Sequence, residues 1–203
     1  MIKTLADALA KQGYDTLTPV QSEVSKEEFE ISDLLVSAQT GSGKTVGFGI
    51  AIAPTILKDK DNFERASAPL ALIIAPTREL AMQVKRELTW LYSMAGATIA
   101  SCVGGMDMRD ERRSLERGSH IVVATPGRLR DHIRRGSINL SQIKAVVLDE
   151  ADEMLDLGFR EDLEFILSEA PKDRRTLMFS ATVPRAIVNL AKSYQKDAIR
   201  ITT

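Results

Sequence analysis

Short apolar runs punctuate this chain at 34–36, 70–75, 98–103, 120–124, 145–148, 176–179 and 199–201. Each is strand length, apolar on both faces, and separated from the next by a polar or helically periodic stretch. Leu5, Ala8 and Leu9 repeat at helical spacing over 3–12, with Gly13 placed to end that helix. Thr18 is placed to cap a second helix that begins at Pro19. Further helices are expected from 45 to about 58, from 78 to about 95, over 108–117, from about 126 to Gly136, over 160–170 and over 184–194. Residues 25–33 form a charged connector, and the polar stretch 58–69 is expected to be a flexible loop. Strands buried on both faces and alternating with helices predict a mostly parallel sheet covered on each side.

The polar and glycine-bearing clusters fall at the C-terminal ends of the strands, the edge where open α/β sheets bind ligands. The first is Ala38-Gln39-Thr40-Gly41-Ser42-Gly43-Lys44-Thr45, between a strand and a helix. That spacing is a phosphate-binding loop, with Ala38 where the common pattern has Gly. Gly41 and Gly43 let successive N–H groups converge on one anion, and the helix start adds its partial positive charge. Lys44 is placed to reach the β and γ phosphates, and the Thr45 hydroxyl to ligate magnesium. The plain alternative is a Gly/Ser turn before an ordinary helix, which the flanking strand and helix disfavour.

A phosphate loop needs a second acidic element. Asp149-Glu150 follows the apolar run 145–148, as a Walker B strand does. Asp149 is expected to hold the magnesium, and Glu150 to orient or deprotonate the attacking water. An acidic loop at a helix start is the competing reading.

Bulk properties narrow the class. The length suits one compact domain, and no apolar run approaches a membrane span or a signal peptide. Cys102 stands alone, so no internal disulfide forms and a cytoplasmic location is expected. Net charge is −1, so a polyanion must be met by a local patch rather than by bulk attraction.

Asp149-Glu150-Ala151-Asp152 spells the signature of the DEAD-box ATP-dependent RNA helicases, and the remaining clusters resemble that family's motifs in order. Gly13-Tyr14 through Thr18-Pro19-Val20-Gln21 is similar to the Q motif, and 38–45 to motif I. Residues 76–80 resemble motif Ia, Gly104-Gly105 the GG motif, 125–128 motif Ib, and Ser180-Ala181-Thr182 motif III. The resemblance implies a RecA-like phosphate-loop NTPase domain over 1–203, the first of two such domains, with the C-terminal RecA-like domain lying outside this chain. It implies ATP and Mg2+ as cofactors, RNA as a partner, and an ATPase coupled to local unwinding. Without the arginine-bearing second domain, this chain alone is expected to unwind little.

Residue by residue, the resemblance assigns adenine reading to Gln21 and support of that segment to Thr18. Thr77, Arg78, Gly105, Thr125, Gly127 and Arg128 would grip the sugar-phosphate backbone of one RNA strand without reading bases. Ser180, Thr182 and Asp152 would couple the nucleotide site to RNA. Leu17 stands where the Q motif has Pro, and the family's adenine-stacking aromatic would fall before Met1. The acidic connector 25–32 has no functional reading. Arg109, Arg112, Arg113, Arg117, Arg130, Arg134 and Arg135 alternate with acids and read as a solvated, paired face. Two other functions are open to this pattern: a one-domain module that binds nucleotide or RNA without unwinding, and a phosphate-loop ATPase acting on DNA or protein.

Overall fold

The computed structural model describes all 203 residues. Seven strands form a single sheet: β1 Leu34–Ser37, β2 Ala71–Ile74, β3 Ile99–Cys102, β4 Ile121–Ala124, β5 Ala145–Leu148, β6 Arg175–Ser180 and β7 Ile199–Thr202. Their order is β3-β4-β2-β5-β6-β1-β7, and every pairing is parallel. The expected fold, an α/β RecA-like sheet, is therefore present, and it is parallel throughout.

Side chains alternate across each strand, so the sheet feeds two cores. Leu34, Val36, Ile73, Val123, Val147, Leu177 and Phe179 face one side. There they meet α1 (Lys3–Lys11), α2 (Pro19–Val24), α3 (Lys44–Leu57) and α4 (Arg78–Leu91). Leu35, Leu72, Ile74, Val122, Val146, Leu148 and Met178 face the other. They meet α5 (Met108–Arg117), α6 (Pro126–Arg134), α7 (Ala151–Asp156), α8 (Arg160–Glu169) and α9 (Arg185–Tyr194). No helix is long and apolar enough to cross a membrane.

Three local expectations change. Helix α4 stops at Leu91, and a 3-10 turn over Ser93–Ala95 carries the chain to Gly96. Helix α7, short and acidic, was not anticipated; it begins inside the motif Asp149–Asp152. The stretch 58–69 is tied down rather than free. The Thr4 hydroxyl donates to the Asp61 carbonyl at 2.6 Å, and Phe63 N–H to the Ala95 carbonyl at 2.9 Å. The Phe63 ring stacks on His120 at 4.3 Å, while His120 Nε2 lies 2.8 Å from the Glu64 carbonyl.

The acidic connector also acquires a structural role. Buried Arg175, at the start of β6, donates to the carbonyls of Phe29 (2.8 Å), Ser32 (2.7 Å) and Ala51 (2.5 Å). Beside it, buried Asp33 accepts from the N–H groups of Thr176 (2.8 Å) and Lys196 (2.7 Å). The connector is thus stitched to the N-terminal edge of the sheet, leaving the opposite edge for chemistry.

Candidate functional site

At that opposite edge β1 ends, and the chain turns through 38–43 into α3. Gly41 and Gly43 take φ of 84° and 80°, a region that side chains disfavour. At Gly43 the constraint is double, because a Cβ there would collide with the Gln21 amide. The Ala38 N–H donates to the Ser180 carbonyl at 3.1 Å, fixing the base of the loop to β6. Gln39, Thr40 and Gly41 form its exposed crest, while Lys44 and Thr45 begin α3 and are buried.

Lys44 crosses to the end of β5. Its ammonium lies 2.9 Å from Asp149 Oδ1 and 3.4 Å from Glu150 Oε2. Asp149 is 0% exposed, and neither of its oxygens receives a well-directed hydrogen bond. Burial pushes its carboxyl up from the ordinary value, and the attraction of Lys44 only partly opposes this. Glu150 sits at φ 51° as the residue that opens α7, a strained conformation for a side-chain-bearing residue. The strand-to-helix junction therefore aims Asp149 and Glu150 at one ammonium.

Contacts from α2 and from the end of β6 flank the loop. Thr18 and Gln21 form a capping box on α2: Gln21 N–H donates to Thr18 Oγ1 at 3.3 Å, and Thr18 N–H to Gln21 Oε1 at 3.0 Å. Gln21 Nε2 donates to the Gly43 carbonyl at 3.0 Å. Gln21 is 1% exposed, so both ends of the amide are committed within the protein, leaving one spare hydrogen and one spare lone pair. On the far side, Asp152 Oδ2 accepts from both Thr182 N–H (3.0 Å) and Thr182 Oγ1 (2.9 Å). The Asp152 N–H donates to Ser180 Oγ at 3.3 Å. Burial alone would raise the Asp152 carboxyl, but these hydrogen bonds outweigh it and hold the group below its ordinary value.

The arrangement suits a phosphate with a divalent cation. Ser42 Oγ is buried within the loop with no partner, and the Asp149 oxygens lack directed donors. Such groups are costly unless a ligand completes them. Thr45, Asp149 and Lys44 are hard oxygen and cationic groups of the type that magnesium and phosphate use.

A basic face adjoins this site. Thr77 caps α4, its hydroxyl accepting from Leu80 N–H at 3.2 Å; Thr125 stands before α6 with its hydroxyl uncommitted. Arg78 is exposed, and its guanidinium rests on Met106 Sδ at 3.3 Å. Gly105, at φ 83°, makes room for that guanidinium, so its closest constraint comes from within the chain. Nothing lies within 4 Å of where a Cβ at Gly127 would stand. Arg128 Nη1 bridges the Met106 carbonyl (3.1 Å) and Glu111 Oε1 (2.8 Å). Arg78, Gly105 and Arg128 thus meet around Met106, with Thr77, Thr125 and Gly127 at the helix starts beside them, but Glu111, which holds Arg128, carried no signal in the sequence. Among the other arginines, Arg112 and Arg113 pair along the exposed face of α5, as expected of a solvated paired face. Arg130, by contrast, is half-buried, pairing with Asp162 at 2.8 Å and lying with Arg134 over the Phe165 ring.

Sheet order, phosphate loop and acidic pair define the RecA-like class of phosphate-loop domains. A family model for DEAD/DEAH box helicases matches residues 18–190, and the chain belongs to that family. It is 42% identical over 194 residues to an ATP-dependent RNA helicase CshA of Limosilactobacillus reuteri, covering 96% of this chain and 38% of that protein. It is 42% identical over 198 residues to DEAD-box ATP-dependent RNA helicase 9 of Oryza sativa subsp. japonica, covering 97% and 31%. A solved DEAD box protein from the hyperthermophile Methanococcus jannaschii superposes with a TM-score of 0.89 at 39% identity, over 98% of this chain and 53% of that one. The chain thus spans well under half the length of the two helicases and about half of the solved protein.

Proposed function

We propose that residues 1–203 form the ATP-binding RecA-like domain of an ATP-dependent RNA helicase, which couples hydrolysis of Mg-ATP to local duplex opening. The observation that carries this reading is Lys44 held 2.9 Å from buried Asp149 at the mouth of the phosphate loop. A nucleotide phosphate would draw the Lys44 ammonium from the carboxylates, freeing Asp149 and the Thr45 hydroxyl as magnesium ligands. The bound magnesium would neutralise charge on the phosphates. Glu150 would then orient or deprotonate the attacking water, and Lys44 would stabilise the charge that develops on the transferred phosphoryl group.

The basic face from Thr77 to Arg128 would follow an RNA backbone without reading its bases. Ser180, Thr182 and Asp152 would couple the two sites, because their bonds join the acidic motif to the end of β6, whose Ser180 carbonyl also anchors Ala38. A second RecA-like domain would complete the ATP site with arginine charge. A cytoplasmic location fits the single buried, unpaired Cys102.

Gln21 would read adenine with its spare hydrogen and lone pair, passing occupancy to the Gly43 carbonyl. Calorimetric titration with ADP and with GDP, repeated for Gln21→Ala, tests this. Binding of ADP over GDP that is lost in the variant supports the reading. Equal binding of both nucleotides would leave only a general phosphate site.

A further inference from the structure

The basic face is built on a carboxylate. Glu111 lies in the first turn of α5 and is 5% exposed. Its Oε2 accepts from the Val103 N–H at 2.8 Å, where the chain leaves β3. Its Oε1 lies 2.8 Å from Arg128 Nη1 and 2.9 Å from Nε2 of fully buried His132 on α6. Three donors from two segments, the end of β3 and helix α6, thus converge on one side chain, so both oxygens are used as acceptors. The partial positive charge of the α5 N-terminus favours an anion at this place.

The loop 104–107 is held by the same system, because Arg128 Nη1 also donates to the Met106 carbonyl at 3.1 Å. One guanidinium nitrogen is committed inward; Nη2 and Nε make no hydrogen bond within the protein, and the side chain keeps 16% of its surface exposed. Cys102, Glu111 and His132 also stand close enough together to suggest a metal triad. That reading fails on charge and occupancy: both carboxylate oxygens already hold donors, and a guanidinium occupies the approach.

We propose that Glu111 is a positioning residue for nucleic-acid binding, a buried carboxylate that fixes Arg128 and the 104–107 loop so that the free side of the guanidinium faces an RNA phosphate. The proposal rests on the reading of Arg128 as a phosphate contact. It makes a prediction opposite in sign to simple electrostatics. Removing a negative charge beside a polyanion site ordinarily strengthens binding. Here removal frees Arg128 to wander, exposes the Val103 N–H and His132 to an unmade bond, and weakens binding.

The experiment titrates a fluorescein-labelled single-stranded oligouridine with the protein and its Glu111→Gln, Glu111→Asp, Arg128→Ala and Glu111→Gln/Arg128→Ala variants. Thermal melts fix the folded fraction of each. Arg128→Ala and Glu111→Gln are each expected to lose about five- to tenfold in affinity, and the salt dependence in each to fall by about 0.7, one single-strand phosphate contact. The double variant is expected to lose no more than Arg128→Ala alone. Glu111→Asp keeps the charge but shortens the reach, and should also weaken binding. Unchanged or tighter binding by Glu111→Gln and Glu111→Asp, with Arg128→Ala still weakened, would overturn the positioning role alone. Full binding by Arg128→Ala would overturn it together with the reading of Arg128 as a phosphate contact.

Discussion

Two buried aspartates stand at opposite edges of the same sheet, and their surroundings differ in kind. Asp33, at the N-terminal edge, accepts directed hydrogen bonds from two backbone N–H groups. Asp149, at the C-terminal edge, is as deeply buried but has an ammonium for company and no directed donor. The first is a finished structural joint. The second is a buried carboxylate partnered by Lys44, which the proposed nucleotide site would complete with a ligand. Arg175 and Lys44 repeat the contrast, one spending its guanidinium on three carbonyls and the other holding an ammonium between two carboxylates.

Substitution at the paired aspartates should separate their roles. Asp33→Ala leaves two buried N–H groups unpaired and should cost about 3 kcal/mol of stability in a denaturant melt, with ADP affinity unchanged under folding conditions. Asp149→Ala should change stability by only about 1 kcal/mol, since burial already opposes its charge, yet remove the magnesium-dependent part of nucleotide affinity. Equal destabilisation by the two would break the comparison. Arg175→Met sharpens it: its three carbonyls lose their donors, and a loss of about 2 kcal/mol is expected without effect on nucleotide.

Smaller effects follow at the coupling and RNA faces. The Asp152 carboxyl lies below its ordinary value of 3.8, so the stability from its Thr182 bonds is fully present above that value and lost as pH falls through the lower, folded value. Thr182→Val should therefore melt about 2 °C lower at pH 7 and converge with the parent in acid. Cys102 gives the smallest signal. Burial, aided by Glu111, pushes its thiol up to about 12, so it should resist alkylation at pH 8 until the protein opens. Rapid labelling of the folded protein would contradict the closed core behind the basic face.

The contrast between the edges explains what the sequence disclosed. Strands such as β2 and β4 were legible because four consecutive buried residues cannot be mistaken for a solvated stretch. The phosphate loop and acidic pair were legible because ligand chemistry demands fixed residue types at fixed spacing. Helix α7 was not, since six residues starting inside a motif show too little periodicity to register. Asp33, Arg175 and Glu111 were hidden for another reason. Each joins segments distant in the chain, and a single charge in a polar stretch looks the same whether it faces water or a buried backbone. Glu111 in particular lies among arginines that do face solvent, so only the fold separates it from them. The 58–69 stretch misled in the same way, its anchors lying on α1, at His120 just before β4, and in the turn after α4.

The most direct test of the central claim, that the C-terminal edge is the nucleotide site and Lys44 its phosphate ligand, is calorimetric titration of ADP with magnesium into the protein and its Lys44→Ala variant. The account predicts one site in the parent and a loss of about 100-fold or more in the variant, with the melting profile of the ligand-free protein little changed. Binding of equal strength by both would contradict it.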